Sequence, residues 1–130
     1  MTPTSRSALA ATIVVAVFGV MNVALGFWAL LDPFSFYENI AEFPEYNRHF
    51  IHDLGAFQLG IGAALLFALA WRSDAVLATL GGAAVGATAH EIAHIFDEDL
   101  GGKSSDPFSL GLIAVILVAV FAWRLYDRAK

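Results

Sequence analysis

Four long stretches of this chain carry no charged residue: 8–31, 54–71, 75–89 and 108–123. Crossing a bilayer core about 30 Å thick takes roughly 20 apolar helical residues. The third stretch reaches that length through 90–96, and the fourth when its helix runs on toward 126. In a bilayer, backbone polar groups must be satisfied within the segment, so such stretches become helices. Soluble core helices would need polar faces, which these stretches lack. The chain is 58% hydrophobic and 15% charged, against about half and a quarter in soluble domains. The fold class read from this is an all-α integral membrane four-helix bundle. It forms one domain over 1–130, with helices at 8–31, 50–71, 75–96 and 108–126. The first stretch outruns the apolar region of about 7–15 residues in a secretory signal, so it reads as a retained helix.

Composition closes several other classes. A net charge of −5 argues against a nucleic-acid binder, which carries basic patches. No cysteine is present, which excludes a disulfide framework, a thiolate zinc site, an iron–sulfur cluster and a cysteine nucleophile. Disorder is excluded because it requires low hydrophobicity.

Arginine and lysine set the expected orientation. Arg6, Arg72, Arg124, Arg128 and Lys130 fall on one side, and Arg48 and Lys103 on the other. This predicts a multi-pass protein of the plasma (inner) membrane with both termini cytoplasmic. Trp28, Trp71 and Trp123 fall near span ends, as an interfacial belt would place them. Helices 2 and 3 are joined by the short turn Arg72-Ser73-Asp74, which predicts an antiparallel hairpin. The first outer loop holds Pro33, Phe34, Phe36, Tyr37, Phe43, Pro44 and Tyr46. That is too aromatic for a plain linker, so an interfacial lid with a short helix is expected.

All four histidines fall on the outer side: His49 and His52 at the start of helix 2, His90 and His94 at the end of helix 3. His90-Glu91-x-x-His94 is an HExxH pattern, of which about 0.005 chance occurrences are expected in such a composition. Helical residues four apart share a face, so two imidazoles at that spacing can reach one ion. Small residues at four-residue spacing mark close helix contacts in membranes. Helix 3 carries Ala78, Gly82, Gly86, His90 and His94 in such a row; helix 2 carries His52, Ala56, Gly60, Ala64 and Ala68. A tight hairpin would set Ala64 against Gly82, Gly60 against Gly86, Ala56 against His90, His52 against His94 and His49 against Asp97. The predicted metal ligands are therefore His52, His90 and His94. His49, Asp53 and Asp97 are further ligands or orienting groups, and Glu91 is the general base if the protein is an enzyme. Imidazoles and carboxylates suit zinc first, with iron, copper and nickel compatible. Simpler readings stand beside these: His49 as a polar boundary residue, His90 and His94 as a satisfied hydrogen-bond network, Gly82-x-x-x-Gly86 as packing within the hairpin, with a homodimer seam as its sharper alternative, and Asp97-Glu98-Asp99 as a solvated loop.

Leu25-Gly26 with Asp32-Pro33, and Gly55 with Gly60-Ile61-Gly62, give the chain a pattern that resembles DoxX-like four-helix bacterial membrane proteins. The resemblance covers most of the chain in topology and implies the four-helix fold. Relatives in that group are linked to quinone or sulfur redox chemistry, and no residue here carries a motif for it. HExxH in a membrane helix also resembles intramembrane metalloproteases, whose later aspartate motif has no match; Asp53-Leu54-Gly55 precedes the pattern.

Three functions fit the sequence. The first is a metal-binding membrane protein. The second is a metal-dependent enzyme acting on a lipid or quinone, with Glu91 or Asp53 as base. The third is an accessory subunit without chemistry, whose histidines respond to pH. Its expected partners are the lipid bilayer, with a homo-oligomer or a larger membrane complex beyond it.

Overall fold

The computed structural model describes residues 6–40, 45–97, 99–100 and 105–130. Phe43, Pro44, Glu98, Lys103 and the side chain of Arg6 lie outside the described residues. Every regular element among the described residues is a helix, with α1 at Arg6–Leu31, α2 at Pro33–Asn39, α3 at Arg48–Ala70, α4 at Ala75–Phe96 and α5 at Asp106–Arg128. Four of these are long and apolar enough to cross a membrane: Thr12–Leu31 within α1, then α3, α4 and α5.

Local chemistry sets the helix ends. Asn47 caps α3 by accepting from the Phe50 amide at 3.1 Å. Asp32 caps α2 by accepting from Ser35 N, and Pro33 supplies the first-turn position that needs no amide donor. The aromatic segment thus forms the expected short helix. It buries Phe36 edge-on against Trp28, and Tyr46 packs on Phe34 and Tyr37.

The hairpin register is the expected one. Gly60 packs on Gly86, and Ala64 on Gly82, with backbones close enough that a Cβ on Gly60 would lie 3.0 Å from Gly86 Cα. Gly26 and Gly55 allow a similar approach of α1 to α3. The arrangement differs from a closed bundle in one respect. Among the described residues, α3 packs between α1 and α4, α4 packs between α3 and α5, and α1 and α5 make no substantial contact. The helices form a row. The small residues that permit close approach are concentrated on α3 and α4, so these form the centre. Bulky residues such as Phe108, Ile116 and Trp123 keep much of α5 exposed, as a lipid-facing surface would be.

At the turn end of the row, Asp74 caps α4 through the Leu77 amide and accepts from Arg124 Nη2 at 3.0 Å, with Arg128 at 3.7 Å. The Leu77 amide first, then the Arg124 guanidinium, hold its carboxyl below the usual range. A depressed carboxylate stabilises the fold above its unfolded pKa, near 4, and that contribution is lost as pH falls through the lower folded value. Asp74→Asn keeps a capping oxygen and removes the charge. Thermal unfolding in detergent from pH 7 to 3 should therefore show a shallower acid loss for Asp74→Asn than for the native chain.

Candidate metal centre

The first two turns of α3 and the last two of α4 meet at the end of the hairpin opposite Asp74. Helical residues advance about 100° each, so steps of seven and eleven return to within about 20° of the starting direction. Asp53 and His49 lie seven and eleven residues before Gly60, and Asp97 lies eleven after Gly86. All three therefore turn inward, in line with the glycines that bring the helices together. His49 and Asp53, four apart, form a second same-face pair opposite His90 and His94.

Asp53 is the hub of one group. Its Oδ1 lies 3.2 Å from His90 Nε2 and 3.8 Å from His94 Nε2, and its Oδ2 lies 3.7 Å from His49 Nε2. His90 Nε2 and His94 Nε2 are 3.1 Å apart. Donor atoms of His49, Asp53 and His94 all lie within 4.8 Å of one another. Asp53 Oδ1 and His49 Nδ1 are buried without a hydrogen-bond partner. Buried polar atoms of this kind are costly and call for an explanation. A metal ion at the cluster would supply one for Asp53.

Asp97 is the hub of a second group. The residue is 1% exposed, so it is not part of a solvated loop, although Asp99 beyond it is exposed. Asp97 accepts from Arg48 Nε at 2.9 Å and pairs with His52 Nδ1 at 2.5 Å. His49 links the two groups, because its Nδ1 faces Asp97 Oδ2 at 3.6 Å.

The structure therefore brings together His90 and His94 from the predicted ligand set, with Asp53 and His49. His52 stands with Asp97 instead of facing His94. It lines a cavity of about 630 Å³ on the α1 side of the hairpin, whereas His90 closes one of about 640 Å³ on the α5 side. The four-residue row that selected His52 drifts by about 40° at each step, so two steps out from Gly60 it has left the α4 face. The pair His49–Asp53 carried the signal that would have replaced it. Glu91 points to α5: its Oε1 lies 3.1 Å from where a Cβ on Gly111 would be, and its Oε2 is buried without a partner. Among the described residues, no hydrogen bond or ion pair joins it to His49, Asp53, His90 or His94.

Donors around a tetrahedral zinc with bonds of 2.0–2.1 Å are about 3.4 Å apart. The Asp53–His90–His94 triangle, at 3.1, 3.2 and 3.8 Å, needs only small side-chain adjustments to match. No family model matches the chain, and neither does a curated protein or a solved structure.

Proposed function

We propose that this chain is a small integral membrane protein that holds a transition metal ion, zinc first, between α3 and α4. Its ligands are Asp53, His90 and His94, with His49 as the fourth. The single observation that carries this reading is the nitrogen–oxygen triangle of Asp53, His90 and His94, drawn from two helices and sized for one ion. Iron, copper and nickel accept the same donor types. By the excess of Arg and Lys around the termini and the 72–74 turn, the centre lies at the outer rim of the plasma membrane, with both termini cytoplasmic.

Asp97 serves as the orienting carboxylate. A metal-bound histidine ordinarily gives its second ring N–H to a carboxylate or carbonyl, which fixes its tautomer. His49 presents Nε2 toward Asp53 and Nδ1 toward Asp97 Oδ2, which stands 3.6 Å away; the orienting hydrogen bond forms when that gap closes as the ring swings onto the ion. Arg48 balances the buried Asp97 charge.

The test is metal content by mass spectrometry on protein purified without a histidine tag, followed by zinc titration against a chelating dye. Near-stoichiometric metal is expected. Asp97→Asn should bind about 10–100-fold more weakly, the usual effect of losing an orienting partner, while still purifying as a folded chain. Absence of metal before and after reconstitution would overturn the reading.

A further inference from the structure

Two carboxamides stand midway along the membrane-spanning segments, away from the histidine cluster: Asn22 on α1 and Gln58 on α3. Asn22 is ten residues from Thr12 and nine from Leu31, the ends of its span. Gln58 is ten from Arg48 and twelve from Ala70. At 1.5 Å per residue, both lie about 13–18 Å from either end, at the centre of a hydrocarbon layer about 30 Å thick. Lipid chains offer no hydrogen-bond partner at that depth.

The two amides share one face. Gly26 meets Gly55 whereas Gly19 meets Leu66, so α1 and α3 run antiparallel. Ala29 and Ile51 belong to one buried cluster with Phe36 of α2. Asn22 is seven residues before Ala29, and Gln58 is seven after Ile51. Steps of seven return to within about 20°, and both steps lead away from α2. Asn22 and Gln58 therefore lie about two turns deeper than that cluster, on the same side of the α1–α3 contact. Their heights agree, because Gly62, one turn beyond Gln58, packs on Val23, the neighbour of Asn22. α2 covers the face only at its outer end. Phe18, one turn deeper than Asn22, is 50% exposed.

Much of the hydrogen-bonding capacity of these amides is unused. A carboxamide carries two N–H donors and an acceptor oxygen. Asn22 Nδ2 donates to the Phe18 carbonyl of its own helix at 2.8 Å. Among the described residues, Asn22 has no further hydrogen-bond partner and Gln58 has none. Both residues are half-buried, and neither amide is among the buried polar atoms that lack a partner. The free donors and acceptors thus open onto the face.

Two-fold dimers, with the same patch on both partners, are the commonest closed assemblies. Copies inserted the same way in a bilayer are related by an axis along the membrane normal, which preserves depth. A midplane residue then meets midplane residues of its partner, so the groups there must be self-complementary. Carboxamides meet this condition, being donor and acceptor at once, and Asn and Gln side chains bond across membrane helices. Gly82 and Gly86 do not offer a competing seam, because they are taken up by Ala64 and Gly60 within the hairpin.

We infer that the chain forms a two-fold dimer in the membrane through the inner half of the α1–α3 face, with Asn22 and Gln58 of one protomer hydrogen-bonded to the same two residues of its partner. The inference rests on α1 and α3 spanning the membrane and is independent of the metal centre.

The experiment is subunit counting by single-molecule photobleaching of the full chain in phosphatidylcholine vesicles, over a dilution series. The dye is carried by one cysteine added after Lys130, the chain having none of its own. Two-step bleaching should dominate at high protein density. Asn22→Leu and Gln58→Leu should each raise the dissociation constant at least about tenfold, as loss of amide bonds between membrane helices implies. Asn22→Gln keeps the amide and should lose less than either. Unfolding of the leucine variants, measured in detergent dilute enough in protein that all chains are monomeric, should occur at no lower temperature than the native chain. Benzoylphenylalanine in place of Phe18 should cross-link a second copy. In place of Val20, about 200° away on α1 and 60% exposed, it should not. Single-step bleaching at every density would overturn the inference, and so would a dimer unmoved by both leucine variants. Cross-links to a second copy from position 20 but not 18 would place the seam elsewhere and overturn it too. Leucine variants that unfold earlier as monomers, with dimerisation unchanged, would show the two amides bonded to each other within one chain.

Discussion

Asp53→Ala and His94→Ala are each expected to weaken zinc binding by more than about 100-fold, beyond the 10–100-fold that follows loss of an orienting neighbour. Among the described residues, Asp53 is the only carboxylate whose oxygens face three imidazoles, at 3.2, 3.7 and 3.8 Å. Its removal leaves neutral nitrogens without an anion to offset the ion's charge. His94 closes the triangle with His90. His52→Ala is expected to cost less than about tenfold, because His52 bonds to Asp97, itself one step removed from the proposed ion. Competitive titration with a chelating dye separates the two classes. A His52→Ala chain as impaired as Asp53→Ala would restore His52, His90 and His94 as the ligand set and remove the one proposed here.

The second large effect is steric. A Cβ on Gly82 would lie 2.8 Å from both the Cα and the N of Ala64. These are backbone atoms of the neighbouring helix, and no side-chain rotation relieves the clash. Overpacking of this kind costs about 1–3 kcal/mol, and Gly82→Ala should lower the unfolding temperature accordingly. Gly82→Leu should force α3 and α4 apart and abolish metal binding together with the native unfolding transition, because each helix contributes two of the proposed ligands. Gly111→Ala is the matched control. Its Cβ would meet Glu91 Oε1 at 3.1 Å, the end of a side chain that can move, so little loss is expected. Thermal unfolding in detergent ranks the three; a Gly82→Leu chain as stable as the native one would contradict the close helix contact.

The pairing of α3 with α4 was legible because it depends on residue size and turn length. Gly60, Ala64, Gly82 and Gly86 announce a close contact, and the 72–74 turn fixes which of them meet. His90 and His94 were legible as a pair because four residues make little more than one helical turn. The placement of the other two residues of the cluster was not. Reading outward from Gly60 in steps of four leads to His52, whereas steps of seven and eleven lead to Asp53 and His49. Glu91 shows the same sensitivity, since one residue beyond His90 means a rotation of about 100° and contact with a different helix.

The sequence by itself determined four apolar helices, the hairpin and its register, because hydrophobic length and side-chain volume are properties of single segments. Only the tertiary structure decided that the helices stand in a row, that Asp97 is buried, and that Asp53 and His49 rather than His52 join His90 and His94. Those outcomes depend on the rotation of each helix about its axis. That rotation is set by packing on both flanks at once, where tens of degrees separate a residue of the cluster from a neighbour on the far side of the hairpin.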